Sequence, residues 1–191
     1  MPKIIVPIAE GCEEIEAVSI VDVLRRSGIE VVMASVKDDL HVKGANGITF
    51  RCDVSFSSQM NEHFDMIVLP GGYDGVDVLS EDKNVQSMLK QMDADNKPIG
   101  AVCAAPIALE FAGVLKEHFT CYPGAENRIR LEGFESDKYM VVEEKNIITS
   151  RGPGTSICFA LEIVRRLQGE EAFNGLKNGL LAEYCEDAKT F

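Results

Sequence analysis

One cysteine stands where an apolar strand runs into a helix, in a setting that suits a nucleophile. The run Ile99–Val102 is apolar, Cys103 follows it, and Pro106 fits the first turn of a helix. The small residues Ala101 and Ala105 allow the sharp turn that lifts a nucleophile out of a sheet. Because a helix start favours negative charge, we expect a lowered pKa for the Cys103 thiol. The alternative is a small buried cysteine at the end of a central strand.

Backbone amides and a carboxyl group are available to assist this thiol. The Pro70-Gly71-Gly72 turn follows an apolar strand, and its backbone N–H groups can approach a reacting atom because no side chain intervenes. Together with the Ala104 amide it would form an oxyanion hole, although a Gly-Gly pair is often only a turn. Glu16 lies near the apolar stripe of the first predicted helix, where burial raises a carboxyl pKa and permits acid–base work. Glu13 maps almost as close to that stripe, so the helical pattern does not choose between them.

Two further residues are candidates for the substrate pocket, namely Tyr122 and Arg151. Tyr122 begins a Tyr-Pro-Gly loop, and Arg151 lies in a Ser-Arg-Gly-Pro-Gly-Thr loop. The Arg151 guanidinium is suited to an acidic substrate group or to a carboxylate of a partner subunit. The alternative is a tight turn in which Thr155 caps a helix. Of the histidines, His63 is expected in solvent, and His118 reaches the site only if folding carries it there.

Composition limits the classes of function. The chain has 191 residues, 46% of them hydrophobic, and a formal net charge of −12. We expect one domain over residues 1–191, no nucleic-acid partner, and no membrane span. The N-terminus enters a strand-like run without a signal peptide, so a cytoplasmic location is expected. The six cysteines are scattered, which argues against a zinc site and against a disulfide framework.

The order of elements predicts an α/β fold with a mostly parallel sheet and helices on both faces. Helices are predicted near residues 17–24, 84–92 and 155–167, and a hairpin at His41 to Phe56. Strands are predicted at 3–8, 30–35, 66–69 and 99–102, and shorter ones near 119–121, 140–142 and 146–149. In such sheets the loops after the strands meet at the carboxyl edge, which brings together 10–16, 70–75 and 102–106.

Five segments together resemble the ThiJ/PfpI superfamily, in the branch of the parkinsonism-associated deglycase (DJ-one). They occur in the family's order over nearly the entire chain. The segments are Gly11-Cys12-Glu13-Glu14-Ile15-Glu16-Ala17, Val21 to Ile29, Val68 to Gly72, Ala101 to Pro106 and Thr149 to Thr155.

The resemblance implies a flavodoxin-like three-layer sandwich and a cytoplasmic homodimer. It assigns Cys103 as the oxidisable nucleophile, Glu16 as its protonated partner, and Gly72 and Ala104 as backbone donors. It further implies action on methylglyoxal or glyoxal and on their protein adducts, without metal or organic cofactor. The animal members carry histidine where this chain has Tyr122, which changes any proton transfer at that position. Ala104 replaces the histidine of the protease-like branch, which disfavours a peptidase dyad.

Three hypotheses remain at this point. The first is a cofactor-free glyoxalase and deglycase in which Cys103 is the nucleophile and Glu16 the acid–base group. The second is an oxidative-stress sensor or redox chaperone in which Cys103 is oxidised to sulfinic acid. The third is an interaction domain without catalysis.

Overall fold

A computed structural model describes all 191 residues, and it contains an eight-stranded sheet in the order β10-β8-β9-β7-β6-β1-β2-β5. Every neighbouring pair in this sheet is parallel except β8 and β9. The strands β3 and β4 form a separate antiparallel hairpin. The ten strands are β1 (Lys3–Ile8), β2 (Glu30–Ser35), β3 (His41–Lys43), β4 (Thr49–Arg51), β5 (Val54–Ser55), β6 (Met66–Leu69), β7 (Ile99–Val102), β8 (Val141–Glu144), β9 (Ile147–Ser150) and β10 (Lys189–Thr190).

Six α-helices cover the two faces of the sheet. The helices α1, α5 and α6 contact one another on one face, and α2, α3 and α4 do so on the other. This three-layer arrangement confirms the predicted flavodoxin-like α/β class. The helices are α1 (Glu14–Arg26), α2 (Tyr73–Glu81), α3 (Lys83–Ala94), α4 (Pro106–Ala112), α5 (Ser156–Gln168) and α6 (Glu170–Gly179). None of them has the length and apolar character needed to cross a bilayer.

The central strands β1, β6 and β7 are buried on both faces, which explains their uninterrupted apolar sequences. The helix α1 buries its apolar stripe against the sheet and begins at a side-chain cap, where Glu13 Oε2 accepts from Glu16 N at 2.8 Å. Gly28, with φ of 83°, follows the end of this helix as predicted. These elements bring the first residues of α1 to the carboxyl edge of the sheet.

The segment from His41 to Phe56 differs from the single hairpin that its sequence predicts. Only β3 and β4 pair as a hairpin, whereas β5 joins the main sheet beside β2. The Asp53 side chain accepts hydrogen bonds from Met33 N and from Arg25, and thereby fixes the segment to β2. These partners are distant in sequence, so local periodicity does not reveal them.

Three other predictions about elements need correction. The loop after β6 is shorter than expected, because α2 begins at Tyr73 directly after Gly72. The expected strand near residues 119–121 is only an isolated bridge between Phe119 and Phe134. The helix α6 and the edge strand β10 were not predicted.

The expectation of no disulfide is wrong for one pair of cysteines. Cys158 of α5 is bonded to Cys185, and their Cα atoms lie 5.2 Å apart. The pair forms because α6 folds back along α5 and returns the C-terminal segment to that helix. The chain then ends on the sheet edge, where the Phe191 ring stacks on His118 at 4.0 Å between centroids.

Candidate active site

Cys103 lies at the end of β7 in the left-handed backbone conformation, with φ of 63°. A residue with a side chain adopts this conformation only where its surroundings hold it there. Two backbone hydrogen bonds do so: Cys103 N donates to Ser150 O at 3.0 Å, and Tyr122 N donates to Cys103 O at 2.9 Å. The helix α4 begins three residues later at Pro106. The strand-to-helix elbow inferred from the sequence is therefore present.

Glu16 is completely buried in the first turn of α1, and its carboxyl group points to the same elbow. Gly71 N donates to Glu16 Oε2 at 2.7 Å, while Glu16 Oε1 has no hydrogen-bond partner. A Cβ atom on Gly71 would stand 2.7 Å from both Cys103 Cβ and Glu16 Oε2. Any side chain at Gly71 would therefore push the thiol-bearing carbon and the carboxyl group apart.

The pKa values of Glu16 and Cys103 are both raised. Burial raises the pKa of Glu16 to about 7. Burial also raises the pKa of the Cys103 thiol, and the nearby Glu16 carboxylate raises it further. The amides of Gly72 and Ala104 act in the opposite direction, but they do not outweigh these effects. The expectation of a lowered thiol pKa is therefore wrong, because the helix start is opposed by burial and by a like charge.

A neutral Glu16 changes this balance. Protonation at Glu16 removes the negative charge that opposes ionisation of Cys103, and a neutral carboxyl group can donate a hydrogen bond to sulfur. The two groups thus titrate as a coupled pair rather than independently. Proton transfer from Cys103 to Glu16 is the route by which this site can supply a thiolate.

The two candidate backbone donors both face the sulfur. The N–H groups of Gly72 and Ala104 favour the ionised form of the Cys103 thiol. Gly72 has φ of 90°, and a Cβ there would stand 2.7 Å from Glu13 N, so the chain requires glycine at this position. The structure thus brings together Cys103, Glu16, Gly72 and Ala104 as the sequence suggested.

Tyr122 and Arg151 line one cleft of about 240 Å³, together with Pro123 and residues 152–155. The Tyr122 ring packs over Gly152, where a Cβ would stand 3.1 Å from the ring. Arg151 directly follows Ser150, the residue that accepts the hydrogen bond from Cys103 N. Both candidate pocket residues therefore lie on loops that are attached to the elbow.

Sequence reasoning missed Tyr73, the first residue of α2. Burial raises the pKa of its phenol, and the negative charges of ionised Cys103 and Cys121 raise it further. The only sequence signal was its position directly after the glycine pair. His118 is instead paired with Glu135 Oε1 at 2.9 Å, and His63 is exposed, so neither contributes to the elbow. No group of three metal-ligating side chains comes together in the structure.

Residues 2–166 match the model of the DJ-1/PfpI family. This chain belongs to the DJ-1/PfpI family. It is 36% identical to the glutathione-independent glyoxalase DJR-1.2 of Caenorhabditis elegans, over 87% of this chain and 89% of that one. Its structure superimposes on that of oxidised Toxoplasma gondii DJ-1 with a TM-score of 0.90 and 36% identity, covering 95% and 98% of the two chains.

Some relatives are considerably longer. The DJ-1 homolog B of Arabidopsis thaliana is 39% identical over 89% of this chain, but the match covers only 39% of the plant protein. The chain thus spans about two fifths of the length of the two Arabidopsis relatives.

Proposed function

We propose that this chain is a cysteine-dependent glyoxalase and deglycase that needs no cofactor, acting on methylglyoxal, glyoxal and their protein adducts. The observation that carries the proposal is the completely buried Glu16 carboxyl, with its pKa raised to about 7, beside the left-handed Cys103. A group that titrates near neutral pH can both accept and return a proton. The glyoxalase name of the Caenorhabditis elegans relative supports the substrate class.

The proposed reaction begins when the Cys103 sulfur attacks the aldehyde carbon and its proton passes to Glu16. The C–S bond forms, and the aldehyde oxygen becomes an alkoxide that Gly72 N and Ala104 N stabilise. Glu16 returns this proton to the alkoxide, which gives a hemithioacetal, and as a carboxylate it then takes the proton from the former aldehyde carbon and delivers it to the neighbouring carbonyl carbon. The hydroxyl proton passes to the neighbouring oxygen, which leaves a 2-hydroxy thioester. Water cleaves the C–S bond and releases the hydroxy acid, lactate in the case of methylglyoxal. One carbon is oxidised and its neighbour reduced, so no external oxidant is needed.

Lactate formation from methylglyoxal tests this proposal directly. Cys103→Ser should abolish activity, and Glu16→Gln should reduce kcat by roughly 10²–10⁴-fold because it removes the proton carrier. Cys52→Ala is the matched control, since this thiol is buried away from the elbow on the hairpin side. Wild-type activity in Cys103→Ser would refute the proposal.

The four free cysteines differ in solvent exposure, and this difference favours a second function. Cys103 retains 6% of its surface, whereas Cys12, Cys52 and Cys121 retain at most 1%. Peroxide should therefore oxidise Cys103 first, and Glu16 with the two amides is placed to stabilise a sulfinate. Mass spectrometry after mild peroxide treatment tests this redox-sensor function. Equal oxidation of all four free thiols would contradict it.

We also propose that the chain forms a homodimer through α1 and the β3–β4 hairpin. Ile15, Val18 and Ile48 are each more than half exposed and line one shared groove on this face. Clustered apolar side chains on a surface mark contact sites, and one face serves both copies in a two-fold dimer. Val18→Asp should yield monomers in sedimentation experiments. Phe111→Asp, an equally apolar and exposed change on α4, should leave the dimer intact; a monomeric wild type would contradict the assignment.

A further inference from the structure

Arg151 stands apart from the other arginines of this acidic chain. Six of the eight arginines lie within 4.0 Å of a carboxylate: Arg25, Arg26, Arg128, Arg130, Arg165 and Arg166. Arg51 lacks such a partner, but it is exposed on the hairpin. Arg151 is half-buried, and its Nε atom is buried without any hydrogen-bond partner. The protein thus leaves at least one donor of the Arg151 guanidinium without an acceptor.

Two backbone hydrogen bonds connect Cys103 to the loops that form the cleft around Arg151. Ser150, directly before Arg151, accepts a hydrogen bond from Cys103 N, and Tyr122, which also lines the cleft, donates its own N–H to Cys103 O. Arg151 is the only charged residue among those that line the cleft. A ligand that enters the cleft therefore meets one cation and no competing carboxylate.

We propose that this cleft binds a carboxylate, and that the substrates include 2-oxoaldehydes with a carboxylate on a short chain. This inference rests on the proposed glyoxalase function and names the substrate class at the same site. A guanidinium and a carboxylate form two parallel charge-assisted hydrogen bonds, which would hold the aldehyde end toward Cys103. For 4,5-dioxopentanoate the reaction adds one water, oxidises the aldehyde carbon, reduces the adjacent ketone carbon, and yields 2-hydroxyglutarate.

The first experiment compares 4,5-dioxopentanoate with 2-oxopentanal, a neutral aldehyde of the same chain length. Wild type should prefer the charged substrate in kcat/KM by roughly ten- to a hundredfold, the effect of a charge-assisted contact. Arg151→Gln should abolish this preference by lowering kcat/KM for 4,5-dioxopentanoate far more than kcat/KM for 2-oxopentanal. Arg151→Lys should retain part of it, because lysine keeps the charge but lacks the planar pair of donors. An unchanged preference in Arg151→Gln would overturn the proposal.

The second experiment does not depend on turnover. Titration calorimetry measures binding of 2-hydroxyglutarate to Cys103→Ser, with and without Arg151→Gln. Binding that requires Arg151 supports the subsite, even if no aldehyde is turned over and the glyoxalase proposal fails. Turnover of methylglyoxal without Arg151-dependent binding or charge preference would refute the subsite while the glyoxalase proposal stands.

A carboxylate from a second copy of the chain has the same chemistry, and sedimentation separates the two sources. If Arg151 binds substrate, Arg151→Gln should leave the dimer dissociation constant unchanged. Weaker dimers in Arg151→Gln, with an unaltered substrate preference, would assign the guanidinium to the subunit contact and overturn the substrate proposal.

Discussion

The substitution Gly71→Ala adds one methyl group, which should push the Cys103 thiol and the Glu16 carboxyl group apart. The backbone of Gly71 has no positive φ, so Gly71→Ala introduces no backbone strain and acts through its side chain alone. The new Cβ would stand 2.7 Å from Cys103 Cβ and from Glu16 Oε2, and 3.0 Å from Val102 O. Ordinary van der Waals contact begins at 3.4 Å. Each of the two neighbours must therefore move by about 0.7 Å, which approaches the displacement of about 1 Å that lowers catalytic rates by about 10²-fold.

Overpacking of this kind also lowers the free energy of unfolding by about 1–3 kcal/mol. We expect Gly71→Ala to remain folded but to lose about 10²-fold in lactate formation and to oxidise more slowly at Cys103. Gly175→Ala is the matched control, because its Cβ meets open space within α6 and should stabilise the helix by about 0.5–1 kcal/mol. Urea denaturation and lactate formation measure the two effects. If Gly71→Ala kept wild-type activity and wild-type Cys103 oxidation, the close pairing of thiol and carboxyl would be wrong.

Three further predictions concern stability. Because the pKa of Glu16 is raised from 4.5 to about 7, folding favours its protonated form. As the pH rises from 4.5 to 7, the unfolding free energy of wild type should fall by about 3 kcal/mol relative to that of Glu16→Gln. Urea unfolding at several pH values measures this, and an equal pH dependence in the two proteins would contradict it. The Cys158–Cys185 bond spans 27 residues, so a reducing agent should lower the unfolding free energy of wild type by about 3–4 kcal/mol. The unfolding free energy of the control Cys158→Ser should not change with reductant. Equal stability of wild type with and without reductant would exclude this contribution. Gly72→Ala combines a left-handed backbone with a collision against main-chain atoms, and urea unfolding should show a larger loss than for Gly71→Ala.

The choice between the acidic residues of the first helix illustrates where sequence reasoning reaches its limit. Helical periodicity places both Glu13 and Glu16 near the apolar stripe and does not choose between them. In the structure Glu13 caps the helix, and Glu16 accepts from Gly71 N. Glu14 is buried and accepts from Asn46 N at 2.7 Å, which fixes the hairpin turn. These partners lie 32 and 55 residues away in sequence for Glu14 and Glu16, so only folding identifies them.

The amino-acid sequence by itself determined the parallel sheet, the first helix, and the elbow that carries Cys103. These features depend on local patterns: uninterrupted apolar runs, a helical stripe, and small residues around a cysteine before proline. The meeting of the three loops at one edge follows from the topology that such patterns specify.

Only the tertiary structure decided the proton affinity of Cys103, the Cys158–Cys185 bond, and the isolation of Arg151. Each of these depends on residues that are distant in sequence and that folding brings together or keeps apart. The pKa of the thiol depends on burial, the Glu16 charge and two amides at once, and burial with the Glu16 charge prevails over the amides. Arg151 is exceptional because folding half-buries it and brings no carboxylate to it, although the chain has 31 acidic residues. Local patterns report which residues are buried, whereas the electrostatic field and the pairing of side chains depend on where the whole chain lies.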